Sequence, residues 1–284
     1  MNFGDCLLRV RRTAPLVHAV TNYVTAGAVA DLLTAAGARP VMADDPREAP
    51  EITARAAGLC LNLGTPHQET LRTMLTSGEQ AARLGRPILL DPVGIGGSGH
   101  RAHMARRLLS TLPLTAIRGN ITEIKALVSP AAREEGVDAS PRDAVGEGQT
   151  GQAMEQLAGP ARQLGAILAA TGAIDLVTDG SRGYIIRNGH PRMGRLSGTG
   201  CQLSALMTAF LAACPDAPLE AAAAAVCMMG LVGEAAAGRL RPGEGIMTYR
   251  IYLMDAIDTM TAEQLEEGAN IETWTRTASP ICTD

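Results

Sequence analysis

Five short apolar runs in the first half of the chain, at 16–20, 39–43, 58–62, 87–91 and 115–118, lack the apolar–polar alternation of a half-wet strand. Strands with that pattern are covered on both faces. Between them, 24–36, 46–57, 66–85 and 101–110 have helical length and spacing. Connections of this length are what parallel neighbours need, since a tight turn can join only antiparallel ones. The pattern therefore predicts an α/β fold with a mostly parallel central sheet between helices. A chain of 284 residues holds one large α/β domain or two small ones, and no linker forces a division. We read 1–284 as one domain.

The second half continues with a helix at 122–127 and a stretch, 129–151, rich in Pro, Gly and charge that reads as a flexible loop with a short helix. A helix at 152–164 and a strand at 166–171 follow. Two or three short strands are expected over 175–193, with Asn188-Gly189 as a hairpin signal. Helices at 199–213, 219–237 and about 244–260 complete the pattern. The segment 219–237 is the most apolar, but Glu220, Gly230, Gly233 and Glu234 interrupt it, which suits a buried core helix and not a membrane span. Residues 1–12 carry no signal-like apolar run. Six cysteines without a C-x-x-C pair fit a reducing cytoplasm and argue against a thiol zinc site. Net charge is −4, aromatic residues are 2 % and Lys125 is the only lysine, so nucleic acid is excluded as a partner.

In open parallel sheets ligands bind at the carboxyl ends of the strands, so residues just after each run carry the functional information. Ser197-Gly198-Thr199-Gly200-Cys201 opens a helix. Glycines there let a ligand approach backbone N–H groups backed by the helix dipole, an anion hole formed by Gly198, Thr199 and Gly200. The same residues also read as an ordinary capped helix start with Cys201 a packed thiol. Arg118-Gly119-Asn120-Ile121-Thr122-Glu123 places a cation at a strand end and a carboxylate on the next helix, suited to phosphate and to a cation held through water. It is equally a capping box of Asn120 and Glu123. Asp91 ends a strand as a metal-side carboxylate, followed by Gly94, Gly96 and Gly99 in G-x-G-x-x-G spacing. That dinucleotide signal lacks its acidic partner, because the next strand ends in Arg118. A Walker loop is excluded, since Lys125 precedes Ala126. His18, Asn22 and Met42 stand near the ends of the first two runs, as pocket walls or plain packing; His100 and His103 read as surface residues.

Taken in order, Thr21–Thr25, Pro40–Ala43, Leu61–Thr65, Leu90–Gly94, Ile117–Asn120, Thr171-Gly172 and Gly198–Cys201 resemble the hydroxyethylthiazole kinases of the ribokinase-like superfamily. The resemblance implies an ATP-dependent kinase with Mg2+ that phosphorylates the primary alcohol of 4-methyl-5-(2-hydroxyethyl)thiazole in thiamine salvage. It implies a homotrimer with sites at subunit interfaces. It places Met42 and Gly198 at the thiazole, Arg118 and Thr171 at ATP, Asp91 and Glu123 near the metal, and Cys201 where related kinases have an aspartate base; Asn22 and Asn120, at or near the ends of their strands, are further candidates for the thiazole and ATP sites. At a helix N-terminus, Cys201 is expected to have a lowered pKa. The alternatives are another kinase of that fold acting on a hydroxymethylpyrimidine-type alcohol, and an NAD(P)-dependent oxidoreductase.

Overall fold

The computed structural model describes residues 1–128 and 145–276, so most of the expected loop at 129–151 lies outside the described residues. Each apolar run becomes a strand: β1 (Leu16–Val20), β2 (Arg39–Val41), β3 (Gly58–Asn62), β4 (Ile88–Asp91), β5 (Ala116–Asn120) and β6 (Ile167–Thr171). Helices separate them: α1 (Phe3–Thr13) before β1, then α2 (Ala26–Ala35), α3 (Ala49–Arg55), α4 (Thr70–Arg83), α5 (Gly99–Thr111), α6 (Ile121–Val128) and α7 (Thr150–Leu164). After β6 come β7 (Asp175–Thr178), β8 (Arg182–Ile186), α8 (Thr199–Ala213), α9 (Pro218–Arg239), α10 (Ile246–Thr259), α11 (Ala262–Gly268) and β9 (Ile271–Thr275). The strands form one sheet in the order β2-β1-β3-β4-β5-β6-β7-β8-β9. It is parallel from β2 to β6 and antiparallel from β6 to β9.

The lack of alternation has the physical cause assigned to it. Successive side chains of one strand enter two different cores: Ala116 faces one and Ile117 the other, as do Ile167 and Leu168. One core is built on α1, α2, α8, α9 and α10, the other on α4, α5, α6 and α7. Helices α8 and α9 are buried nearly all round, so they carry no polar face. Helix α9 is long and apolar enough to cross a membrane, but 72 % of its most apolar stretch is buried within the fold, as in a core helix.

Several features depart from expectation, among them α11, which follows the last expected helix. Helix α1 is capped by Asn2, which accepts from Asp5 N–H at 2.7 Å, and buries Phe3, Cys6, Leu7 and Val10 on one face. Strand β9 extends the sheet along β8 with mostly exposed side chains, so hydrophobicity gives no sign of it. Asn188-Gly189 is not a hairpin turn. The turn is at Asp179–Ser181, where Asp179 Oδ1 accepts N–H bonds from Ser181 and Arg182, each at 2.8 Å. Asn188 is buried instead, accepting from Cys227 Sγ and Asn270 N–H and donating to Gly268 O and Glu234.

Candidate active site

Register alone puts several polar residues on one rim. Asn62 lies opposite Asp91, and Asn120 opposite Thr171, at the carboxyl ends of parallel strands. Onto this rim points the start of α8. Its cap is Gly198, with φ of 89°, a conformation L side chains rarely adopt; a Cβ there would come within 2.5 Å of Thr25 Cγ2. No side chain caps this end among the described residues. The first N–H groups of a helix have no partner within it, so they face the rim with the positive end of the dipole.

Two amides hold Cys201 beneath that opening. Asn22 Nδ2 donates to Asn62 Oδ1 at 2.9 Å and to Cys201 Sγ at 3.3 Å. Asn62 Nδ2 donates to Asp91 Oδ2 at 2.8 Å and to the same sulfur at 3.3 Å. Asn22 is itself fixed, its Oδ1 accepting from Thr25 N–H and Oγ1. Ser204, one turn along α8 from Cys201, donates to Asp91 Oδ2 at 2.7 Å. Neither Asn62 nor Ser204 was among the expected site residues. The signals for Asn62 were its place at a strand end and within the resembling stretch Leu61–Thr65, and a serine inside an apolar helix gives none.

Arg118 lies beside the opening. Its Nη2 donates to Thr171 Oγ1 at 2.6 Å, its Nη1 is 3.9 Å from Asp91 Oδ2, and its guanidinium lies so close to Gly200 that a Cβ there would meet Nη1 at 2.5 Å. Glycine at 200 thus makes room for the cation. The capping box is present: Asn120 Oδ1 accepts from Glu123 N–H, and Glu123 Oε2 from Asn120 N–H, each at 2.8 Å. Glu123 Oε1 also accepts from Gly94 N–H at 2.9 Å, tying the glycine-rich loop to the rim.

The two carboxylates suit a divalent cation held largely through water and phosphate, not one caged by protein. Asp91 Oδ1 is buried without a hydrogen-bond partner, and each Glu123 oxygen accepts from the backbone, which orients it. Among the described residues no three His, Cys, Asp or Glu side chains converge as a metal cage. One or two carboxylates, with water and phosphate completing the shell, is the donor set Mg2+ prefers.

Burial pushes the Asp91 carboxyl up to about 6, with Glu123 acting the same way and Arg118, Ser204 and Asn62 opposing. Burial, then the Asp91 charge, raises Cys201 as well; donors from Thr25, Asn62 and Asn22 do not outweigh them. The lowered thiol pKa expected from the helix position is therefore corrected: desolvation wins, and the sulfur is a thiol near neutral pH.

Two cavities flank this centre. One of about 160 Å3 is walled by Met42, Asn62, Tyr23, Thr65 and neighbours. The other, of about 470 Å3, is walled by Arg118, Thr171, Thr199, Gly200 and Asp175, with Leu203, Val226 and Met229. Cys201 lines neither but neighbours a wall residue of each: its sulfur accepts from Asn62, and its backbone follows Gly200. Asp175, whose carboxyl burial pushes up to about 7, is a further wall residue that the sequence did not single out. His18 lies behind the smaller cavity, fully buried, Nε2 2.8 Å from Ala43 O and Nδ1 2.8 Å from Thr53 Oγ1.

Residues 7–263 match the model of the hydroxyethylthiazole kinase family. A hydroxyethylthiazole kinase of Clostridium acetobutylicum is 42 % identical over 94 % of this chain and 98 % of its own. The solved structure of a hydroxyethylthiazole kinase from Pyrococcus horikoshii superposes with a TM-score of 0.82 at 33 % identity, covering 96 % of this chain and 98 % of that one. A ribokinase-like superfamily protein of Enterococcus faecalis shares the fold alone, with 14 % identity, a TM-score of 0.54 and 86 % and 87 % of the two chains covered. The match over 7–263 and the 42 % identity to that relative show that the chain belongs to the hydroxyethylthiazole kinase family.

Proposed function

We propose that this chain, acting as one domain, transfers the γ-phosphoryl group of ATP to the primary alcohol of 4-methyl-5-(2-hydroxyethyl)thiazole, a step of thiamine salvage. The observation that carries the reading is the α8 mouth, uncapped and flanked by Arg118, lying between two cavities of unequal size. The smaller has the volume of a single substituted ring and takes the alcohol against Met42. The larger takes the nucleotide, with Arg118 and Thr171 at its phosphates, Asn120 at the rim and apolar residues under the base.

Phosphoryl transfer of this kind passes through a loose transition state, so catalysis is mainly positioning and charge neutralisation. The amides of Gly198–Cys201 and the Arg118 guanidinium accept the charge that builds on the moving group. Asp91 and Glu123 would hold Mg2+, which neutralises phosphate charge when bound. The attacking hydroxyl loses its proton late, so a protonated Cys201 serves by aligning the alcohol, and a strong base is unnecessary. The family resemblance supports a cytoplasmic homotrimer with sites at subunit interfaces; Tyr23 and Val24, 82 % and 65 % exposed, offer apolar surface beside the smaller cavity.

The test is ADP release with ATP and Mg2+ against a panel of alcohols. Release dependent on the thiazole alcohol is expected. Release with a hydroxymethylpyrimidine and none with the thiazole would overturn the reading.

A further inference from the structure

The most saturated polar group of the site belongs to a residue that the scheme above uses only as a wall of the smaller cavity. Asn62 is 3 % exposed, and its carboxamide uses every hydrogen-bonding position it has. Oδ1 accepts from Asn22 Nδ2 at 2.9 Å and from Gly64 N–H at 3.0 Å; Nδ2 donates to Asp91 Oδ2 at 2.8 Å and to Cys201 Sγ at 3.3 Å. Flipping the amide would set oxygen against the Asp91 carboxylate and NH2 against two donors, so its orientation is fixed. Its partner Asn22 is closely packed in turn: a Cβ on Gly64 would sit 2.7 Å from Asn22.

We propose that Asn62 is a positioning residue for phosphoryl transfer, a strut that sets the separation of Cys201 from Asp91. The two come from different layers, Cys201 on α8 and Asp91 on β4, and no direct hydrogen bond joins them among the described residues. Asn62 touches both, from the strand between β1 and β4. Because Asn62 and Ser204 both occupy Asp91 Oδ2, the other oxygen is left as the one aimed elsewhere. The strut thereby decides which carboxylate oxygen is free and where the sulfur stands against it. Asn62 acts through its two neighbours and transfers no proton. The inference rests on the kinase reading above.

The experiment measures kcat and both KM values for wild type, Asn62→Ala, Cys201→Ala and the double variant, with thermal melting as a check of folding. Misplacement of reacting groups by about 1 Å costs up to ~100-fold in rate, so Asn62→Ala should lower kcat roughly 10- to 100-fold with KM values within about twofold. If Asn62 works through Cys201, the double variant should be no more than about threefold slower than Cys201→Ala, because coupled residues are not additive. An unchanged kcat, losses that multiply, or a loss confined to KM would each overturn the proposal. Asn62→Ser, which retains one donor, replaces Asn62→Ala in the same cycle if the alanine variant does not fold. Wild-type turnover of the thiazole alcohol tests the kinase reading; the ratio of variant to wild type tests the strut.

Discussion

Replacing Gly200 by alanine separates the phosphate site from the fold. Gly200 is the second residue of α8, where alanine has the better helix propensity, by about 0.8–1.0 kcal/mol in a helix interior and less near an end. That gain offsets only part of what the fold loses if Arg118 is displaced, so stability should fall by no more than about 1–2 kcal/mol. The added methyl, however, would lie 2.5 Å from Arg118 Nη1, 3.2 Å from Nη2 and 3.3 Å from Cζ. The obstacle is the tip of a flexible side chain, so Arg118 swings away and gives up its 2.6 Å bond to Thr171. A hydrogen bond to a charged group contributes about 1.5–3 kcal/mol. Losing one such bond to a nucleotide phosphate corresponds to roughly 10- to 150-fold in affinity, at about 1.4 kcal/mol per factor of ten. Calorimetric titration with ADP and a non-hydrolysable ATP analogue, alongside a melting curve, reads both sides. A melting temperature lowered by a few degrees at most, with nucleotide binding weakened by that amount, is expected. Unchanged nucleotide binding would show that the Arg118 guanidinium is not at the phosphates. A large fall in stability would show that the contact at Gly200 is not relieved by moving the arginine.

Cys201→Ala should lower kcat about 10- to 100-fold, the scale of lost alignment, with little change in either KM, while Cys201→Asp stays active; steady-state kinetics of both decide it, and loss of thiazole binding in a folded Cys201→Ala would make the sulfur a packing group. Gly198→Ala places a side chain at φ of 89° against Thr25 and should cost about 1–3 kcal/mol, read by urea unfolding; an unperturbed midpoint would contradict it. Burial lowers the pKa of His18, with the Ala43 carbonyl opposing, so protons bind the unfolded chain more readily than the folded one. The His18 share of stability is therefore full above the ordinary imidazole value near 6.5 and lost as pH falls toward the lowered one. His18→Gln should flatten the stability difference between pH 7 and pH 5; an unaltered slope would refute this.

The parallel sheet was legible because burial on both faces leaves a mark in composition: runs such as Pro87–Asp91 can be nothing wet. The glycines at 198 and 200 drew notice only as a way for a ligand to reach backbone N–H groups; that one takes positive φ and the other yields space to Arg118 emerges from the structure. Edge structure was not legible. Strand β9 is set by backbone pairing with β8, while its side chains lie mostly in solvent and carry no period worth reading. Asn188-Gly189 has turn chemistry, yet the asparagine is drawn inward by Cys227, Glu234 and the backbone at Gly268 and Asn270, contacts 39 to 82 residues away in sequence. The thiol of Cys201 misled for a related reason. A helix N-terminus is visible in sequence, but the burial and the Asp91 carboxylate that raise its pKa are tertiary facts. Asn62 needed the register of β3 against β4 before its neighbours could be named.

The most direct measurement is a crystal structure with the thiazole alcohol and a non-hydrolysable ATP analogue bound together. The γ-phosphate should lie within hydrogen-bonding distance of the backbone N–H groups at 199–201, with Arg118 on its flank and the hydroxyl beside Cys201 Sγ. A terminal phosphate held elsewhere, or an alcohol on the far side of Met42 from the sulfur, would contradict the account.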